Sequence, residues 1–266
     1  MKQRVISAIV VLGLVLPIIF VGGNLFYLAV TILAVLALRE LLAVRKRERD
    51  LPFIMKVIAY LLLIMMVLNN YHNVEFIYYI DYRLLSLLLI SLLLPLILYY
   101  NDKIYNINDA FFLIAAIFFL GMAFNLLILI RNFSIYYFIF IFLLITITDT
   151  FAYITGYLIG QNKIAPKISP HKTWEGFIGG SVFGTIISTF FYYDIINSDI
   201  NLMRLIPIII LLTVIGQMGD LVFSAIKRYY RKKDFSSLMP GHGGVLDRLD
   251  STIFVIIVFT LFITII

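Results

Sequence analysis

Apolar runs close to the length that crosses a bilayer follow one another along most of this chain. A helix needs about 20 apolar residues to span the hydrocarbon core. Runs of this kind predict nine helices, near residues 5–21, 25–44, 54–68, 84–100, 110–130, 135–160, 176–193, 204–223 and 248–266. With 62% hydrophobic and 14% charged residues, a soluble globular fold is excluded, and continuous rather than alternating runs argue against a β-barrel. The predicted fold class is all-α, a polytopic integral membrane helical bundle.

The distribution of basic residues predicts the orientation of this bundle. If the N-terminus is cytoplasmic, 17 of the 21 Lys and Arg residues fall in cytoplasmic segments. Such a bias follows the positive-inside rule and places the two most polar loops, 161–175 and 224–247, in the cytoplasm. The first apolar run follows Lys2 and Arg4, so it also fits a signal peptide. Because no small-residue cleavage pattern follows it and further spans do, it is interpreted as a retained helix.

Composition also limits the domain organisation and the chemistry. The chain is predicted to form one membrane-embedded domain over 1–266, with a scaffold in 1–130 and the active site in 135–266. The net charge of +6 is explained by the cytoplasmic loops, so it does not indicate binding to nucleic acid. The absence of Cys excludes disulfides and a thiol nucleophile.

The eighth predicted helix ends in a polar sequence. If it continues past residue 223, Asp220, Ser224, Lys227 and Arg228 share one face, because they lie at positions i, i+4, i+7 and i+8. An ionisable group inside a span is costly and indicates function. The alternative is a Lys-Arg pair that extends toward the interface, with Asp220 as its counter-ion.

A glycine-rich segment, residues 240–244, follows this helix. Gly243 and Gly244 would let backbone N–H groups approach an anion, and His242 could donate to a phosphate oxygen or shuttle a proton. The alternative is a tight turn into the last helix.

The last helix opens with Asp247, Arg248 and Asp250. The two carboxylates can point to one side, and together with Asp220 they offer the hard oxygen ligands that Mg²⁺ prefers. Carboxylates in a first helical turn also suit the helix dipole, which is the alternative explanation. Metal binding is the favoured interpretation.

The second polar loop carries cations and hydroxyls able to meet phosphate, namely Lys167, Ser169, Lys172 and Thr173. The small residues that follow are interpreted as a helix-packing stripe; they are Gly176, Gly179, Gly180 and Gly184.

Two further polar positions lie inside predicted spans. Asp149 shares a face with Tyr153, Gly156 and Gly160, and it could bind a metal, hold a basic residue or contact a nucleotide. The adjacent residues Arg39 and Glu40 are interpreted as an internal ion pair.

Taken together, these segments resemble the signature of the CDP-diacylglycerol synthase (phosphatidate cytidylyltransferase) family. The matching residues are Ser224, Lys227, Arg228, Lys233, Asp234, Pro240, His242, Gly243, Gly244, Asp247, Arg248 and Asp250, with Gly219, Asp220 and the upstream segment 169–176. The resemblance covers the two polar loops and their flanking helices in the C-terminal half. The N-terminal half matches only as a helical bundle of suitable length.

The resemblance implies a reaction in which CTP and phosphatidic acid give CDP-diacylglycerol and pyrophosphate. It also implies Mg²⁺, an integral membrane enzyme and a homodimer, and we expect a bacterial cell membrane with the site on its cytoplasmic side. The residues implied in catalysis are Asp220, Lys227, Arg228, His242, Asp247 and Arg248. Those implied in substrate binding are Lys167, Ser169, Lys172, Thr173, Ser224, Gly243, Gly244 and Asp149. Those implied in metal binding are Asp220, Asp247 and Asp250, and a second cation is left open.

Two other classes of function remain as alternatives. A CTP-dependent polyprenol or lipid kinase, or another CDP-lipid synthase, would use a related membrane fold. A transporter would use Asp149 and Asp220 as intramembrane charges, but transporters usually show internal repeats, and none is found in this sequence.

Overall fold

The computed structural model describes residues 13, 15–46, 49–69, 81–99, 103–238 and 243–263. Most of them are helical, and residues 15–21 form a helical segment before the first full helix. The helices are α1 (Gly23–Arg45), α2 (Phe53–Val67), α3 (Tyr82–Leu93), α4 (Pro95–Leu98), α5 (Ile107–Phe133), α6 (Ile135–Ile159), α7 (Trp174–Phe191), α8 (Leu202–Tyr229) and α9 (Leu246–Phe262). A π-helical turn, Tyr192–Ile196, extends α7.

The helical fold class predicted from the apolar runs is confirmed for the described residues. Within the described ranges, five helices are long and apolar enough to cross a membrane: Gly23–Arg45, Ile107–Phe133, Ile135–Ile159, Trp174–Ile196 and Leu202–Tyr229. The apolar helices Phe53–Val67 and Tyr82–Leu98 are shorter. Most of the first predicted run, 5–21, lies outside the described residues, so nine spans and a cytoplasmic N-terminus stay predictions.

Polar caps explain where several helices begin. Ser134 and Asn201 precede α6 and α8, and their side-chain oxygens accept hydrogen bonds from the backbone N–H groups of Tyr136 and Met203. Each cap satisfies a donor that has no partner within the helix. The starts predicted from the apolar runs, 135 and 204, lie within two residues of the observed ones, Ile135 and Leu202.

A small β-hairpin interrupts the helical pattern and was not predicted. Strands β1 (Lys163–Ala165) and β2 (Ser169–Thr173) pair antiparallel within the polar loop 161–175. The Glu175 carboxylate accepts hydrogen bonds from the backbone N–H groups of Gln161 and Asn162, which ties the start of the hairpin to α7. The strands are too short and too polar for their alternation to be read from the sequence.

The chain divides into two compact units, each with its own packing. The first contains the described part of 1–133 together with the segment 234–245. In it α5 packs against α1, α2 and α3, around buried side chains such as Leu38, Leu63 and Phe124.

The second unit contains 134–233 and the last helix, from Leu246. Its closest packing joins α6 to α7 through the predicted small-residue stripe. A Cβ atom at Gly176 or Gly180 would collide with the backbone oxygen of Ala152 or Thr148. The interpretation of these glycines as packing residues is therefore confirmed, because α7 comes too close to α6 for a larger side chain.

Candidate active site

Helix α8 continues to Tyr229, so the polar face predicted at its end is continuous. The Ser224 hydroxyl donates to the Asp220 carboxylate at 3.3 Å, one turn away. Lys227, a further turn along, is buried. The helix continues past residue 223, so the condition for the predicted shared face is met.

The hairpin supplies a cation to this face. Lys172 of β2 forms an ion pair with Asp220, with Nζ 2.6 Å from Oδ2. The same ammonium donates to the backbone oxygen of Gln217 at 3.3 Å. Both charged side chains keep about a quarter to a third of their surface exposed, 26% and 31%. The pair is therefore accessible to a solute while it holds the hairpin to α8.

A second ion pair joins α8 to the last helix. Lys227 Nζ lies 2.8 Å from the Asp247 carboxylate, and the two side chains are only 11% and 6% exposed. Asp247 was predicted as a metal ligand and Lys227 as a phosphate ligand. In this structure they bind each other, which satisfies two charges that would be costly to bury alone.

Three carboxylates interact around these pairs. Asp220 interacts with Asp250 of α9, and both interact electrostatically with Asp149 of α6. Lys172 and Lys227 supply the nearby positive charge. The site thus gathers acidic groups from three helices, which attract cations and repel free phosphate unless a cation is bound between them.

A cavity of about 600 Å³ opens beside this cluster. Several predicted site residues line it: Asp149, Lys172, Thr173 and Asp220. The face of α6 that carries Asp149 also presents Gly156 and the largely exposed Tyr153 to the cavity. The volume is within the range of sites for nucleotide-sized ligands.

Among the described residues, no group of three or more His, Cys, Asp or Glu side chains is arranged to hold a metal ion by itself. Mg²⁺ commonly takes only one or two carboxylates and completes its shell with water and substrate phosphates. The interacting pair of Asp220 and Asp250 fits this kind of site, because both are oxygen donors in an acidic cluster.

The remaining basic residues are placed differently. Arg228 is exposed and donates from Nε to the Ile168 oxygen and from Nη1 to the Lys232 oxygen, which fastens the hairpin turn to the end of α8. Lys167 lies exposed in that turn, and Arg248 is exposed in the first turn of α9. Their predicted roles in phosphate binding stay predictions.

Two predicted hydroxyl residues have identifiable positions in the hairpin. Thr173 caps α7, because its hydroxyl oxygen accepts a hydrogen bond from the Gly176 N–H at 3.2 Å. Ser169 is the first residue of β2 and pairs with Ala165. A contact of either hydroxyl with substrate stays a prediction.

The glycine-rich segment belongs to the first unit and is only partly described. His242 lies outside the described residues. Gly243 has a φ of 83°, a conformation that favours glycine. A Cβ atom at Gly244 would overlap the carboxylate of Glu40. The two glycines therefore serve different needs, a turn at Gly243 and a close approach at Gly244.

Sequence reasoning missed several residues that line the cavity, among them Lys163, His171 and Gln217. Gln217 is buried on α8, where its amide donates to the Phe177 oxygen and the Ser181 hydroxyl of α7. A polar residue inside an apolar span, three positions before Asp220, was the available signal. Lys163 and His171 lie in the predicted polar loop, His171 within the segment that resembles the family, but only the hairpin brings them to the cavity.

Fold and site together define a class: an α-helical membrane protein with a polar cavity in which paired lysines and carboxylates meet. Residues 2–266 match the sequence model of the cytidylyltransferase family. The chain belongs to that family.

Curated relatives match over almost the whole chain. The phosphatidate cytidylyltransferase of Staphylococcus haemolyticus (strain JCSC1435) is 34% identical over 257 residues, which cover 96% of each protein. Proteins of the same name from Staphylococcus saprophyticus and Staphylococcus aureus (strain COL) are 35% and 33% identical over the same share of each chain. The resemblance inferred from the two polar segments is thereby confirmed along the full sequence.

Proposed function

We propose that this protein is a phosphatidate cytidylyltransferase that converts CTP and phosphatidic acid to CDP-diacylglycerol and pyrophosphate. The observation that supports it best is the Lys172–Asp220 ion pair at the cavity, next to Asp149 and Asp250, in a chain of the cytidylyltransferase family. An oxygen of the lipid phosphate attacks the α-phosphorus of CTP. The bond from that phosphorus to the bridging oxygen breaks, and pyrophosphate leaves with the electron pair.

This reaction needs positioning more than it needs a protein nucleophile. The substrate supplies the attacking oxygen, so the enzyme must bring two polyanions together and orient them. Lys172 and Lys163, both at the cavity, bind phosphate oxygens of CTP and offset their mutual repulsion. When CTP binds, a phosphate oxygen replaces Asp220 as the partner of Lys172, so the Lys172 ammonium stays paired.

The carboxylates are suited to hold the divalent cation that such a reaction uses. Asp220 and Asp250 would bind Mg²⁺, which would neutralise charge on the triphosphate. Asp149 adds a third negative charge that interacts with both of them. Asp247 acts through Lys227, whose ammonium it holds at 2.8 Å, and Lys227 in turn faces Asp220 and Asp250.

The membrane arrangement we propose has nine spans, with the N-terminus and both polar segments in the cytoplasm. The support is the bias of Lys and Arg toward those segments and the five long apolar helices. CTP then reaches the hairpin from the cytoplasm of a bacterial cell. The lipid enters laterally past Tyr153 and Tyr157, two exposed aromatic residues beside the cavity. A homodimer is proposed from the family resemblance.

The experiment is a partition assay with purified protein, cytidine-labelled CTP, Mg²⁺ and phosphatidic acid in mixed micelles. We expect label in the lipid phase and one pyrophosphate released per turnover. CDP in the aqueous phase, with a lipid alcohol as acceptor, would instead identify a kinase. Absence of turnover with both lipid classes would contradict the proposal and favour a transport function.

A further inference from the structure

Glu40 is a buried carboxylate that the proposed chemistry does not use. It lies on α1, in the first unit, and is only 4% exposed within an apolar span. A carboxylate in such surroundings is costly unless strong hydrogen bonds offset its lost hydration. Its partners therefore indicate what the residue is for.

Those partners lie in the segment 234–245 of the same unit. One carboxylate oxygen of Glu40 accepts two hydrogen bonds, from the Ser236 hydroxyl at 2.7 Å and from the Val245 backbone N–H at 2.9 Å. The same carboxylate occupies the space that a side chain at Gly244 would need. The chain is thus attached to a single oxygen atom at two places: at Ser236, before the glycine-rich segment 240–244, and at Val245, directly after it.

This attachment constrains the chain at Gly243 and Gly244, the described residues of the segment predicted to bind phosphate. Gly243, whose positive φ makes a turn, lies between the two attachment points. The Ser236 hydroxyl, while it donates to Glu40, also accepts from the Leu238 N–H at 3.2 Å, which orders the start of the segment. Val245 is followed directly in the chain by Leu246 and Asp247, the first residues of α9.

We infer that Glu40 is a positioning residue that holds the backbone at Gly243, Gly244 and Val245 in place for phosphate binding. The inference rests on the proposed function, because it assigns the segment to the phosphates of CTP. Glu40 acts through Ser236, Gly244 and Val245 and is not itself a ligand of the nucleotide. Gly244 is required because a Cβ atom would displace the carboxylate.

The kinetic test compares wild type with Glu40→Ala, Glu40→Gln and Ser236→Ala in the partition assay, varying CTP and phosphatidic acid separately. Loss of hydrogen bonds to a charged acceptor predicts a KM for CTP raised about 10-fold or more in Glu40→Ala, with the KM for phosphatidic acid unchanged. Glu40→Gln keeps an acceptor oxygen, and Ser236→Ala keeps the hydrogen bond from Val245. In each of these two variants the KM for CTP is therefore expected to rise only about 3-fold. The ion pair predicted between Arg39 and Glu40 is not among the ion pairs of the described residues, and Arg39 is exposed on α1, so Arg39→Gln is the control.

Hydrogen–deuterium exchange without substrate tests the same inference independently of activity. Peptides covering 234–245 should exchange faster in Glu40→Ala than in wild type, while peptides from α8 should not change. If Glu40→Ala does not fold, Glu40→Gln and Ser236→Ala provide the same two readouts.

Unchanged exchange in 234–245, or a KM for CTP that stays the same or falls in Glu40→Ala, would overturn the inference. Equal increases in both KM values would assign Glu40 a general structural role and overturn it as well. Faster exchange of the segment in the variants, combined with a wild type that has no cytidylyltransferase activity, would refute the proposed function and with it the assignment to CTP.

Discussion

The two units of this protein bury charge in opposite ways. In the first unit, the Asp109 carboxylate is fully buried and is paired with both Arg45 and Arg49. It also accepts from the Asn106 N–H at 2.9 Å, and the Arg45 guanidinium lies over the Phe112 ring. In the second unit, Asp149, Asp220 and Asp250 interact with one another beside a cavity, and among the described residues Lys172 and Lys227 supply the positive charge.

The difference separates charge that maintains a fold from charge that is available to a ligand. Around Asp109 two guanidiniums surround one carboxylate, and planar guanidiniums hold such a pair in a fixed geometry. Around Asp220 carboxylates outnumber ammonium groups, and flexible lysines can change partner when a phosphate arrives. We therefore expect substitutions in the cluster around Asp109 to affect stability, and substitutions in the carboxylate cluster of Asp149, Asp220 and Asp250 to affect catalysis.

The strongest test of this distinction is Asp250→Asn. Removal of one charge from the carboxylate cluster is expected to lower turnover by about 1,000-fold, because metal and phosphate binding depend on it. The free energy of unfolding should change little, since the side chain keeps its shape and loses repulsion from Asp220. The partition assay and a detergent-phase unfolding curve measure both quantities. Near-normal turnover would contradict the assignment of Asp250 to the site.

The opposite pattern is expected for Asp109→Asn. Loss of this carboxylate leaves Arg45 buried without its ion pair, which is expected to lower the free energy of unfolding by about 3 kcal/mol. Turnover per folded molecule should remain within about two-fold of wild type, because Asp109 pairs with Arg45 and Arg49 and none of the three lines the cavity. Arg49→Gln is the milder control, since Arg49 is more exposed than Arg45. A large loss of turnover without loss of stability would end the distinction between the clusters.

Lys172→Met tests the cation that joins the hairpin to Asp220. We expect kcat/KM for CTP to fall by about 30-fold, because a charge-assisted contact to phosphate is lost. Lys172→Arg keeps the charge and should recover part of that loss. The measurement is initial rate against CTP concentration for both variants. Equal rates for Lys172→Met and wild type would remove Lys172 from the substrate site.

The smallest effect is expected at an exposed pair in the first unit. Asp50 lies outside the helices. Its carboxylate oxygens are 2.5 Å from Lys56 Nζ and 3.4 Å from Lys46 Nζ. The hydrogen bond from Lys56 lowers the pKa of Asp50, so the stabilisation is present above the ordinary carboxyl pKa and is lost as pH falls through the lowered value. Asp50→Asn should change the free energy of unfolding by less than about 0.5 kcal/mol at neutral pH. A larger change, measured by unfolding at pH 7, would show that exposed pairs also maintain this fold.

Much of the fold followed from local pattern. Apolar runs predicted the helices α1 to α9, because only a helix satisfies its own backbone hydrogen bonds in lipid. The short α4 is the exception, since it continues the run of α3. Periodicity predicted that Asp220 and Ser224 share a face, since i and i+4 are neighbours on any helix. The hairpin at 163–173 escaped prediction because its pairing is too short to leave a pattern.

By itself, the sequence determined the helices, the charged segments and the family, because each is encoded in neighbouring residues. Only the tertiary structure decided the partners: Lys172 with Asp220, Lys227 with Asp247, and Glu40 with Ser236 and Val245. Those pairs join residues far apart in the chain, and many alternative pairings would satisfy the same composition. The choice among them depends on which side chains the packed helices bring within about 3 Å, the range of hydrogen bonds, and on which charges burial leaves without water.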